Sequence, residues 1–330
     1  MPDFNQVHER VVSVTYQGKC LRSIESYSCL DNYSESPDIK KPVVVFLPAG
    51  LKSSAGPGRI FVKYARELAK DGFLCYRFDP LGIGISDGEL KSGSIKDVWN
   101  RIEQGHFTDD LAAFATHIRK QHPERKIIIC GLCGGAVTAA LFAGEYSHLV
   151  DGVISINIEP FLSTTAIIPS GDETSTRINS VMKSYATKML SAEAWTRLFS
   201  LKSDIRGILR FVKLFLLQHI QRDDRDLSEF KNINLPLIQA FGKIRLERTK
   251  HLMLFAEHDS CWHRFHSTYF SRLMESQYSS PYGEIKIVHN ANHELQFREW
   301  RSEAFDYIKG WLSSNFRDAE KKNHPAVNRH

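Results

Sequence analysis

Apolar and polar positions alternate along residues 9 to 29, predicting two antiparallel strands joined at Gln17-Gly18-Lys19. Beyond them the pattern changes. Val43 to Leu47 (VVVFL) is a short β-branched run with no polar face, as expected of a strand covered on both sides in a parallel sheet. Phe61, Tyr64, Ala65 and Leu68 then fall on one helical stripe that stops at Asp71-Gly72. The same alternation continues with FLCYRFD (73–79), a helix over Phe107 to Gln121, the strand KIIIC (126–130) and the helical GAVTAALFAGEY. VDGVISINI (150–158), HLMLFAE (251–257) and EIKIVH (284–289) read as strands, and a helix over Phe297 to Ser313 closes the series. Strands alternating with helices predict an α/β fold with a mostly parallel, doubly wound sheet.

One stretch breaks this rhythm. Residues 160–235 carry several helical patterns and no convincing strand, so they are read as a helical cap inserted between two parts of one core, 1–159 and 236–318. Within the cap, Ile205 to Ile220 sets Arg206, Arg210 and Lys213 against a wide apolar face, predicting a lid helix packed on the body. Residues 319–330 are polar and read as a flexible tail.

Composition narrows the classes of function. The 330 residues are 42% hydrophobic and 25% charged, which suits a globular chain with a large core. A net charge of +5 without a basic run gives no footprint for nucleic acid, and small molecules become the expected substrates. No apolar run is long enough for a transmembrane segment, and the N-terminus lacks the features of a secretory signal. The expected location is the cytoplasm. Six scattered cysteines (Cys20, Cys29, Cys75, Cys130, Cys133 and Cys261) are then expected as thiols rather than as a disulfide framework.

One of these thiols stands where chemistry is expected. Gly131-Leu132-Cys133-Gly134-Gly135 lies directly between the strand KIIIC and the helical run after it. In such a nucleophile elbow the turn is so tight that glycines are needed two before and two after the central residue. Gly131 and Gly135 fill those places, and the turn would leave the Cys133 sulfur at a helix N-terminus, where thiolate is favoured. Gly84-Ile85-Ser86-Asp87-Gly88 fits the serine form of the same pattern. It begins five residues beyond its strand and runs into ELKSGS, which does not read as a helix, so Ser86 fails the test that Cys133 passes.

An elbow nucleophile requires an acid and then a histidine, each after a later strand. Asp259 follows HLMLFAE and His293 follows EIKIVH, which predicts a Cys133-His293-Asp259 triad with Asp259 orienting the imidazole. Glu257 and His289 are the next candidates. Backbone amides of Gly134 and of either Leu51 or Gly50 are assigned by position to the oxyanion hole. No cofactor or metal is called for. Gly56 and Gly58 lack the Gly-Lys-Ser/Thr and the preceding strand of a phosphate cradle. Cys261, close behind Asp259, is read as a passive loop thiol near the pocket.

These segments are similar to the α/β-hydrolase superfamily over about residues 9–159 and 236–313. VVVFLPAG resembles its third strand and oxyanion loop, and YRFDPLGIGISDG resembles the Asp-x-x-Gly-x-Gly-x-Ser-x-Gly stretch after its fourth. Within the superfamily the chain looks most like the serine-aminopeptidase-like and exosortase-associated hydrolases, partly through KMLSAEAWTRLF in the cap. It departs in two places: Pro48-Ala49-Gly50-Leu51 stands where many members have His-Gly, and the nucleophile is Cys where most have Ser. The resemblance implies an α/β-hydrolase fold and acyl chemistry. A cysteine shifts the expectation from simple ester hydrolysis toward acyl transfer or thioester cleavage, because its intermediate is itself a thioester. The substrate is expected to be a small acyl ester or thioester, free or carrier-bound, held under the cap. Two other classes remain open at this stage: an inactive hydrolase-fold binding module, and a redox protein using the Cys130-x-x-Cys133 pair.

Overall fold

The computed structural model describes residues 6–28, 41–90, 94–162, 234–267 and 282–316. In chain order the regular elements are β1 (Val7–Tyr16), β2 (Lys19–Ser28), β3 (Val43–Leu47), α1 (Ile60–Lys70), β4 (Leu74–Asp79), α2 (Ile95–Glu103), α3 (Thr108–Gln121) and β5 (Ile127–Leu132). They continue as α4 (Gly134–Glu145), β6 (Gly152–Ile156), α5 (Leu235–Leu246), β7 (Lys250–Ala256), α6 (Ser260–Ser267), β8 (Gly283–Val288) and α7 (Arg298–Asn315).

The strands form one eight-stranded sheet in the order β1-β2-β4-β3-β5-β6-β7-β8. β1 pairs antiparallel with β2, and β2 antiparallel with β4; every pair from β4 to β8 is parallel. This is the mostly parallel α/β sheet expected from the alternation and the α/β-hydrolase fold implied by the resemblance, and each expected strand is present within a few residues. The all-apolar strands lie in the middle: β3 and β5 are buried along their whole length, whereas β1 at the edge alternates between part-buried and exposed positions. Their side chains join α1 and α7 in one apolar core that includes Phe46, Phe61, Ile128, Leu254 and Ile308.

Three described helices were not anticipated. Helix α2 starts with a capping box in which Ser94 and Asp97 exchange side-chain and backbone hydrogen bonds. Helix α5 is capped by Asn234, whose side chain accepts from Leu237 N (3.1 Å), with a proline in its first turn. Helix α6 begins at Ser260, so Cys261 sits on a helix and not in a loop.

The chain divides into two compact units, Met1–Phe161 with Asn234–His330, and Leu162–Ile233. Within the first, Asn234 N donates to Pro160 O (3.0 Å). The expected cap, its lid helix, KMLSAEAWTRLF, Cys29 and the tail lie outside the described residues or nearly so. No helix among the described residues is long and apolar enough to cross a membrane.

Candidate active site

Strand order alone locates the site. From β3 the chain steps to one side to form β4 and to the other to form β5, so the loops leaving β3 and β5 diverge at the carboxyl edge and leave a crevice between them. Both loops carry predicted site residues. Leu47 pairs with Gly131 at the last rung, which puts Gly50 and Cys133 just beyond neighbouring strand ends.

Cys133 links β5 to α4 with φ 55° and ψ −121°, a conformation that costs a non-glycine residue energy and persists only where its surroundings enforce it. Those surroundings are hydrogen bonds. Cys133 N donates to Ile156 O (2.9 Å), and Cys133 O accepts from Ala136 N (2.9 Å) and Val137 N (3.2 Å). The flanking glycines are sterically required. A Cβ on Gly131 would lie 2.1 Å from Gly135 O, and one on Gly135 would lie 2.4 Å from Pro48 O. The thiol is part-exposed.

His293 and Asp259 reach the same place from the loops after β8 and β7. His293 Nδ1 lies 2.6 Å from Asp259 Oδ2, and the Cys133 side chain is close enough to the same imidazole to favour its charged form. The bond from Asp259, then the Cys133 side chain, push the His293 pKa up to about 12. Burial opposes ionisation of Asp259, but its bond with His293 prevails and holds the carboxyl below its ordinary value. Cys133, His293 and Asp259 are thus brought together, while Glu257 and His289 are not. Those two form an exposed pair 3.7 Å apart, with Glu257 Oε2 accepting from Asn290 N (2.8 Å).

Two of the residues suggested for an oxyanion hole, Gly50 and Gly134, also come together. A Cβ on Gly134 would stand 3.1 Å from Gly50 Cα and 3.3 Å from Gly50 N, so the two backbones are in contact. The amides of Gly50, Leu51 and Gly134 find no hydrogen-bond acceptor among the described residues. Trp99, on α2, lies against Gly50 so closely that a Cβ there would be 2.2 Å from its ring. Under the loop is a cavity of about 10 Å³ lined by Pro48, Gly50, Phe107, Gly134 and Thr138. That space holds one water at most.

Sequence reasoning missed the residue that ties these loops together. Asn157, fully buried just after β6 with φ 48°, donates from Nδ2 to His293 O (2.8 Å) and accepts at Oδ1 from Ala256 N (2.7 Å). One amide side chain therefore fixes the backbone of His293 and the end of the strand that leads to Asp259. The only sequence signal was a polar residue closing an apolar strand. Glu159 was also missed. It pairs with Arg264 and accepts from Cys261 Sγ (3.4 Å), and burial raises its carboxyl pKa. Cys261 Sγ lies 3.9 Å from His293 Nδ1, its own pKa pushed by burial up to about 12.

The remaining motifs serve the framework. Ser86 Oγ accepts from Arg22 N (2.7 Å) and donates to Asp79 O, locking a turn. Asp79 receives Ser54 N (2.7 Å) and Ile85 N (3.1 Å). The Gly58 carbonyl accepts from Arg301 (3.2 Å), whose guanidinium occupies the space a Gly58 side chain would need. Cys130 is fully buried in β5, with its thiol pKa driven well up by burial, and the five described cysteines are all free.

Sheet order, elbow and crevice define a protein with the α/β-hydrolase fold, and the model of that fold family matches residues 42–176. Solved structures with the same architecture include a hypothetical protein of Pseudomonas aeruginosa, 18% identical over 93% of this chain and 94% of that one, with a TM-score of 0.52. A dienelactone hydrolase of Anabaena variabilis is 13% identical, covering 94% of this chain and 98% of that one (TM-score 0.52). The thioesterase domain from the curacin biosynthetic pathway is 12% identical, covering 93% and 99% respectively (TM-score 0.51). No curated protein sequence matches the chain.

Proposed function

We propose that the protein is an acyl-transferring or acyl-hydrolysing enzyme that works through an acyl-Cys133 thioester. The observation that carries this reading is the Cys133 thiol, held in a strained turn beside an imidazole whose pKa it raises and whose Nδ1 is fixed 2.6 Å from Asp259. With Nδ1 donating to Asp259, Nε2 is the nitrogen left to take the Cys133 proton. The raised His293 pKa favours the resulting imidazolium.

The thiolate attacks the acyl carbonyl carbon, and the amides of Gly134 and of Leu51 or Gly50 receive the developing oxyanion. Collapse expels the leaving group, which takes the Nε2 proton and departs neutral. Water, an alcohol, an amine or a thiol then gives its own proton to Nε2 as it attacks the thioester, and expulsion of the Cys133 sulfur restores the starting pair. Similar solved structures include one named a thioesterase domain and one named a dienelactone hydrolase, and acyl chemistry on an ester or thioester extends those names to this chain. The proposal includes a small, free or carrier-bound acyl substrate, the serine-aminopeptidase-like or exosortase-associated branch, and the cytoplasm as the reducing compartment that keeps the thiols free. It also includes residues 160–235 as the cap over the acyl group.

A dithiol mechanism is disfavoured because Cys130 is sealed inside the central sheet. The test is intact-mass measurement after incubation with a panel of acyl esters and thioesters. Wild type is expected to gain one acyl mass and Cys133→Ala none. Equal labelling of both, or substrate bound unchanged by wild type, overturns the reading.

A further inference from the structure

The proposed reaction uses one face of His293 and leaves a second sulfur, that of Cys261, on the other. Asp259, Cys261 and His293 each offer one ligand atom, and the three atoms lie within 4.8 Å of one another. Cys261 Sγ is 3.9 Å from His293 Nδ1, and Nδ1 is 2.6 Å from Asp259 Oδ2. Cys261 N donates to Asp259 Oδ1 (3.1 Å), which holds carboxylate and thiol in a fixed relation. Glu159 stands behind the sulfur as its hydrogen-bond acceptor, with its charge answered by Arg264.

A nitrogen, a sulfur and an oxygen converging in this way match the donors that zinc-like ions take from proteins, with metal–ligand lengths of about 2.0–2.3 Å. Ligands so placed around a tetrahedral ion stand roughly 3.3–3.6 Å apart. The sulfur–nitrogen spacing is already near that value, and the nitrogen–oxygen pair has only to open by about 1 Å or less. A thiolate in the set selects a soft ion over magnesium or calcium.

We propose that Asp259, Cys261 and His293 form a binding site for one soft divalent cation of the zinc type, whose occupancy arrests the Cys133 chemistry. Binding displaces the Cys261 thiol proton to solvent, and the ring proton that Nδ1 gave to Asp259 passes to Nε2. The pair of negative charges on thiolate and carboxylate then balances the +2 ion, and the fourth position is left to Glu159 or water. The arrest follows from valence. A neutral imidazole has one lone pair; once Nδ1 gives it to the metal, Nε2 carries the ring proton and cannot accept the one on Cys133. Metal binding stands independently of the proposed catalysis, and only the arrest rests on it.

The experiment titrates the full chain with Cd²⁺, which reports a bound thiolate by ultraviolet charge-transfer absorption, and then competes it with Zn²⁺. Wild type and Cys133→Ala are expected to develop the band at one equivalent and to lose it to Zn²⁺. Cys261→Ser and Asp259→Asn should weaken binding by at least about tenfold. Cys261→Ser keeps a hydroxyl donor toward Glu159, and its thermal unfolding checks that the fold is intact; Asp259→Asn supplies the same answer should the serine variant not fold. A band that survives in both variants, or disappears in Cys133→Ala, overturns the site. Should the band behave as expected while Zn²⁺ leaves acyl turnover of wild type unchanged, the site stands and the arrest is overturned.

Discussion

Two turns in this molecule share a five-residue pattern and have opposite fates. Gly84 to Gly88 and Gly131 to Gly135 both place a potential nucleophile between glycines, and in both the first glycine is close-packed: a Cβ on Gly84 would be 2.0 Å from Asp79 Oδ2, one on Gly131 2.1 Å from Gly135 O. Ser86, however, spends its hydroxyl on Arg22 N and Asp79 O, whereas Cys133 leaves its backbone to the hydrogen bonds and keeps its thiol for His293. The difference lies in the element downstream of each turn. The helix starting immediately after Cys133 takes up the Cys133 carbonyl, and among the described residues no helix begins between Ser86 and Ile95. Glycine spacing permits a sharp bend, and the neighbouring element decides whether the side chain at its apex is tied into the framework or left for the proposed chemistry.

The comparison can be broken most directly at the apex. Cys133→Ala is expected to lower acyl turnover by at least about a thousandfold, since residues acting as a unit fail together. Ser86→Ala should leave turnover within a few-fold and remove about 1–2 kcal/mol of stability, read by denaturant unfolding. The reverse pattern would assign the chemistry to the wrong turn. Gly131→Ala and Gly84→Ala sharpen the contrast, because both should destabilise by about 1–3 kcal/mol or more, while only the first should slow alkylation of Cys133 by iodoacetamide.

Asn157→Ala tests the tie between the two later loops. It leaves the Ala256 amide and the His293 carbonyl unpaired, for about 2–4 kcal/mol of stability, and should shift the pH dependence of Cys133 alkylation as His293 loosens. An unshifted profile would reduce Asn157 to a structural role. A fourth expectation, away from both turns, concerns His251. It is fully buried in β7, 2.9 Å from Ser155 Oγ, and burial lowers its pKa to about 3. The unfolded chain binds this proton first, so stability is complete above about 6.5 and falls as pH drops toward 3. His251→Asn should flatten that acid slope of the melting temperature, by the smallest amount among these changes near neutral pH.

Much of the architecture was legible because the central strands have no polar face. VVVFL and KIIIC can be placed only where both sides are covered, and the order elbow, acid, histidine then placed Cys133, Asp259 and His293 after β5, β7 and β8. The parts that were not legible depend on contacts between segments distant in sequence. Asn157 is one polar residue at a strand end until β7 and the His293 loop surround it. Cys261 is a thiol near an aspartate until α6 turns it toward His293. Helix α2 was readable in principle, since Ser94 and Asp97 precede Val98 and Ile102 at helical spacing; the glycine and serines just before it masked the start.

The placement of the site at the divergence of β3 and β5 has a consequence for the chain as it is made. Residues 50, 133, 157, 259 and 293 meet only once β8 has docked at the far edge of the sheet. A nascent chain that ends before β7 carries the sulfur but neither its imidazole nor the carboxylate that steadies it. On the proposed chemistry, nucleophilicity is withheld through synthesis and conferred by completion of the sheet, and a fragment ending before β7 is expected to react with iodoacetamide as an ordinary thiol.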